Sequence, residues 1–137
     1  MKIILTIPYV VPSQNETDHW HWAKKKATSK KYVDCISTLM LALPLEVRRS
    51  LPPSQLVHVS ILSKRCRTLD YGNLVGGCKI LVDALRYSGL IRNDDTLSIQ
   101  ESYAQEVAKK PGRETIISVS WGGDETTYRV ELNSRGL

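Results

Sequence analysis

Residues 69–85 read LDYGNLVGGCKILVDAL, a glycine-rich stretch with one lysine set among apolar residues. Whether it cradles a phosphate, holds a metal or only turns the chain into a helix decides the fold around it. A phosphate loop needs Gly-x-x-x-x-Gly-Lys followed by Ser or Thr. Gly72 and Gly77 have that spacing, but Cys78 stands where the lysine belongs and Lys79 comes one place late. Ile80 then occupies the position of the magnesium-binding hydroxyl. The cation is out of register and the metal ligand is missing, so the nucleotide cradle fails on mechanism. A turn into a helix remains, with Leu81, Val82 and Leu85 on one face and Gly89 as the stop.

Working outward, Lys2–Ile7 is rich in isoleucine and reads as a strand. Pro8 and Pro12 interrupt regular structure, and Ser13, Asn15, Thr17 and Asp18 are all candidate helix caps. From about Lys24 the apolar residues Tyr32, Ile36, Leu39, Met40 and Leu43 fall at helical spacing, ending near Pro44. Leu56–Leu62 alternates and is β-branched, which predicts a strand, with His58 packed or facing solvent. Residues 93–95 read as a turn, and Leu97–Val107 and Thr115–Trp121 as strands. GGDE at 122–125 reads as a hairpin turn returning into a strand over Thr126–Leu132, and the last residues as a frayed tail. The order β-α-β-α-β-β-β predicts an α+β fold. It would be one domain over 1–137, a single mixed β-sheet with two main helices packed mostly on one face.

The length of 137 residues suffices for a real core without disulfides. Cys35, Cys66 and Cys78 are odd in number and lack a CxxC pair, which argues for free thiols in a reducing cytoplasm rather than a disulfide framework or zinc site. The N-terminal apolar run is too short for a signal peptide and no segment approaches membrane-spanning length. The net charge is +5, from 19 basic and 14 acidic residues. The excess concentrates in AKKKATSKKY and SKRCR, which favours a polyanionic partner.

Asp70, Asp83, Asp94 and Asp95 crowd into residues 70–95. If the strand, turn and helix between them brought both ends to one sheet edge, these carboxylates would suit Mg²⁺, with Lys79 neutralising charge on a phosphodiester. Read plainly, Asp70 forms a turn, Asp83 pairs with Lys79 four residues earlier, and 93–95 is a polar loop. Spacing alone favours the plain reading.

The order of these residues adds to that. RCRTLDYGNL, then Lys79, Asp83-Ala84-Leu85, Gly89 and Asp94-Asp95 resemble the RusA family of Holliday junction resolvases, common in phages. PSQNETDHW before a lysine-rich stretch is similar to that family's Pro-Ser-x-Asn segment, so the resemblance spans most of 8–101. It implies a homodimer that binds four-way DNA junctions and cuts two strands symmetrically with Mg²⁺, or Mn²⁺ in its place. It further implies Asp70 and Asp95 as metal ligands, Asp94 as a supporting ligand, Lys79 as the catalytic or phosphate-contacting cation, and Asp83 as a supporting carboxylate. Two departures stand out. Gly72 replaces the family's second aspartate, and three extra residues around Gly76-Gly77-Cys78 lengthen the turn before the lysine. The longer turn would let Asp83 or Asp94 replace the missing ligand, or would mark a degenerate site that still binds DNA. Lys24, Lys25, Lys26, Lys30 and Lys31 would track phosphates. Arg65 and Arg67 would hold the scissile strand. Trp20 and Trp22 flank His21; packing against the sheet is expected of them, because the chain has no Phe, with stacking on bases as the alternative.

Overall fold

The computed structural model describes residues 1–93, 95 and 97–132. Its sheet is built around β1 (Lys2–Ile7), where Ile3, Leu5 and Ile7 are fully buried and Ile4 nearly so. A strand this deep in the core must have its backbone groups paired along both edges. β1 therefore pairs antiparallel with β4 (Glu114–Ser120) and parallel with β5 (Thr127–Glu131). With β2 (Val57–Arg65) and β3 (Ile99–Val107) the strand order is β3-β2-β4-β1-β5, one mixed five-stranded sheet. The α+β class is as expected.

The predicted hairpin at 122–125 is not formed. β1 lies between β4 and β5, so the connection crosses the end of β1 instead of folding back. Gly122 takes a left-handed φ of 69° there. Asp124 accepts from the Thr126 amide (2.9 Å) and hydroxyl (2.6 Å), which sends the chain across.

The helices are α1 (Gln14–Asp18), α2 (Trp22–Met40), α3 (Leu45–Arg49), α4 (Tyr71–Gly77) and α5 (Lys79–Tyr87). Of the four candidate caps, Ser13 starts α1, in a capping box with Glu16. The His21 imidazole caps α2 by accepting from the Ala23 amide at 3.3 Å, so the helix begins at Trp22, two residues before the predicted start. The short helices α1 and α3 were not predicted. Tyr32, Ile36 and Leu39 of α2 and Leu81 and Leu85 of α5 join Ile3, Leu5, Ile61 and Ile117 in one core. Along β2, Val57, Val59, Ile61, Ser63 and Arg65 are buried while His58 and Ser60 are exposed, so one face of the sheet is covered and the other open. All three cysteines are free. Burial pushes the Cys78 thiol up to about 12, so it stays protonated and unreactive at neutral pH.

β2 and β3 are parallel neighbours, in register from Val57 with Ile99 to Arg65 with Val107. Parallel neighbours are joined by a crossover that returns to the starting end, here through α4 and α5. Residues just after β2 and just before β3 therefore lie at opposite ends of the pair, roughly 25 Å apart at ~3.3 Å per strand residue.

Candidate active site

The β2 end of this crossover is built first by Gln105. Its side-chain oxygen accepts from the Leu69 amide (2.8 Å), and its nitrogen donates to the Leu69 carbonyl (2.6 Å). Asp70 follows as the N-cap of α4. One carboxylate oxygen accepts from the Asn73 amide (2.9 Å) and the other from the Asn73 side-chain nitrogen (2.8 Å). The Asn73 side-chain oxygen accepts from the Asn15 amide at 3.2 Å. Asp70, Asn73 and the start of α1 thus form one hydrogen-bonded corner.

The glycines of the opening stretch explain how α1 comes so close. A Cβ on Gly77 would stand 1.8 Å from the Pro12 carbonyl oxygen, and one on Gly76 would stand 2.3 Å from the Gln14 side chain. Neither has a positive φ. They are helical residues of α4, Gly77 admitting the Pro12 backbone and Gly76 the Gln14 side chain, not a lengthened turn and not a phosphate cradle. At Gly72 a Cβ would meet only the Asp70 carboxylate, at 3.6 Å. Position 72 is therefore open space beside the Asp70 carboxylate.

The hydrogen bonds from Asn73, backbone first, hold the Asp70 carboxyl below its ordinary range. A depressed folded value means that the contribution of this cap to stability is fully present above the unfolded value near pH ~4 and is lost as pH falls through the folded one. A titration followed at the Asn73 amide by NMR is expected to show its midpoint below that of an unstructured aspartate.

Asp95 lies at the other end. It accepts from the amides of Leu97 (3.0 Å) and Ser98 (2.9 Å) and from the Asn93 side chain (2.9 Å), so it shapes the turn into β3. The expectation that this hairpin gathers both ends at one edge is corrected: parallel pairing of β2 and β3 holds Asp70 and Asp95 apart within one chain. Asp94 lies outside the described residues. Among the described residues no three His, Cys, Asp or Glu side chains gather to hold a metal. Asp70 does fit the looser way Mg²⁺ is held, by one or two carboxylates, waters and substrate phosphate oxygens.

Lys79 and Asp83 line a pocket of about 260 Å³ between α4, α5 and β3, with Glu101 and Tyr103 opposite. Asp83 forms an ion pair with Arg86 at 4.0 Å. The Tyr103 hydroxyl donates to Glu101 at 2.5 Å, and burial, then this carboxylate, pushes the phenol well above its usual range. Glu101, Tyr103 and Gln105 were missed in the sequence. Their signal is parity: they share the face of β3 that buries Ile99.

Of the predicted phosphate contacts, Lys24, Lys25, Lys26, Lys30, Lys31 and Arg67 are exposed. Lys30 pairs with Asp34 at 2.7 Å, and Lys31 lies 4.2 Å from the Tyr9 ring centre. Arg65 is different. It is buried, and its guanidinium donates to the carbonyls of Val11 and Arg67, both at 2.9 Å. That ties β2 to the segment leading into α1, so Arg65 is a structural residue rather than a strand contact. Arg65→Ala is expected to cost about 2–3 kcal/mol in a urea melt, whereas Arg67→Ala should stay within about 0.5 kcal/mol of the parent.

No family model and no curated protein matches the chain. Among the described residues no helix is long and apolar enough to cross a membrane.

Proposed function

We propose that this protein is a RusA-like endonuclease of the cytoplasm that binds four-way DNA junctions as a homodimer and cuts them with Mg²⁺ or Mn²⁺. The observation that carries the reading is the corner at Asp70. The two segments that resemble the family, PSQN and LDYGN, are far apart in sequence, yet Asn73 bonds to both the Asn15 backbone and the Asp70 carboxylate. An ionised carboxylate oriented by two hydrogen bonds suits work on a phosphodiester.

A bound divalent ion would supply an activated water and offset charge on the phosphate. Asp70 would hold that ion, and Asn73 would keep the carboxylate charged and oriented. Lys79 would stabilise negative charge developing on the scissile phosphate. The lysines of α2 and Arg67 would follow the DNA backbone. A homodimer would set two sites about a two-fold axis, as a four-way junction requires. Asp95 would join the same ion only from a second copy, since one chain keeps it apart from Asp70.

A second reading, a branched-DNA-binding protein that does not cut, is favoured by Gly72 and by the separation of Asp70 from Asp95. The test is cleavage of a labelled mobile junction and a matched linear duplex, at low salt, with Mg²⁺, Mn²⁺ or EDTA. Paired metal-dependent nicks confined to the junction are expected. Binding without cleavage under any metal would establish the second reading, and cuts confined to flaps or nicked duplexes would assign another substrate. Binding should weaken steeply with salt, because each phosphate contact releases a counterion.

A further inference from the structure

Trp22 does not pack against the sheet. It is 68% exposed at the first turn of α2, and Tyr87, at the last residue of α5, is 61% exposed. Exposed aromatics at two separate points of a surface need no explanation, but these two line one groove of about 570 Å³. Along α2 its wall is Trp22, Lys26, Ser29 and Val33, spaced so that they form one stripe of the helix. Tyr87 supplies the other wall, with the Arg86 guanidinium 4.7 Å from its ring centre. The groove is apolar inside and cationic at its rim.

We propose that this groove is a stacking site for unpaired bases of a nucleic-acid strand. α2 carries five lysines and one acid, Asp34, so its charge calls for a polyanion. A polyanion that also inserts flat apolar faces is a strand whose bases are free. A closed duplex hides those faces, and an acidic peptide has none of regular spacing. Trp22 and Tyr87 take the base planes, while Lys26 and Lys30, which line the same groove, take the phosphates. The inference rests on the nucleic-acid reading above and adds that the protein contacts unpaired strand, as exists where a branched molecule opens.

The experiment compares a labelled thymidine oligonucleotide with an abasic strand of equal length and charge, using full-length protein and fluorescence anisotropy. Stacking predicts that the parent prefers the thymidine strand by about tenfold. Trp22→Ala and Tyr87→Ala should each remove most of that preference, and Trp22→Phe should keep it. Lys26→Ala should weaken both strands alike and lower the salt slope by about 0.7. Both aromatics are exposed, so the variants should melt like the parent, which circular dichroism checks. Equal binding of the two strands by the parent overturns the proposal while leaving the nucleic-acid reading intact, as does a preference that survives Trp22→Ala. Binding to anionic vesicles that depends on Trp22, without any base preference, overturns it in favour of a membrane surface. If the parent binds no nucleic acid at low salt, the broader reading falls and the stacking site falls with it.

Discussion

Asp70→Asn is expected to reduce junction cleavage by about a hundredfold or more while leaving junction binding within about twofold. Asparagine keeps one oxygen for the Asn73 amide, so α4 stays capped, while the bond from the Asn73 side-chain nitrogen is lost and the melting temperature should fall by a few degrees. What it removes is the negative charge that would hold a divalent ion. Single-turnover cleavage and anisotropy on the same junction separate the two effects. Asp95→Asn extends the test. If a second copy supplies Asp95, mixing the two inactive variants restores cleavage, because the mixed dimer then holds one intact site and one doubly altered site. If Asp95 only shapes the turn before β3, its substitution lowers stability more than cleavage, and mixing restores nothing. Parent protein that binds junctions without cutting them would make both variants uninformative about chemistry and would leave the binding-only reading.

Gly77→Ala should have the largest effect on stability. The added methyl group would stand 1.8 Å from a backbone oxygen of Pro12, which cannot rotate away. The helices α1 and α4 must separate, at a cost of about 3 kcal/mol or more, and the Asn15–Asn73 bond goes with them. Gly76→Ala should cost less, because its obstacle is the Gln14 side chain, which can swing aside. Gly72→Ala has open space and should be neutral or stabilise α4 by up to about 1 kcal/mol. Denaturant melts rank the three directly. Equal melts for Gly77→Ala and parent would mean that the α1–α4 contact is not as described.

What could be read in the sequence follows from where the physics is local. β1 was placed at its observed bounds because its isoleucines have one use, and the inner face of α2 followed from the spacing of Tyr32, Ile36 and Leu39. Gly89 ended α5 with a φ of 83° as its position suggested. The hairpin at 122–125 failed because glycine marks a turn without saying where the chain goes next, and only the burial of β1 on both sides explains the crossing. The carboxylate cluster failed for a related reason. Asp70 and Asp95 were judged by their order along the chain, whereas their separation is set by whether β2 and β3 run parallel. Arg65 was grouped with Arg67 because both are basic and near Asp70. Parity turns Arg65 to the buried face with Val57, Val59 and Ile61, and the distinction from Arg67 lies in where β2 ends, which spacing does not show. Gly76 and Gly77 read as a lengthened turn because the backbone that Gly77 admits, at Pro12, is remote in sequence.

The position of β1 also bears on how the protein is made. Its neighbours come from the far end of the chain, with Lys2 opposite Ser120 and Ile7 opposite Thr115. During synthesis this strand emerges before both of its partners and waits unpaired until they have left the ribosome. Contacts of such long sequence separation slow folding, and the exposed strand is a template for association with other nascent chains. Chaperone dependence and yield at high expression should therefore track changes in β1 and β5 more closely than changes at the corner around Asp70.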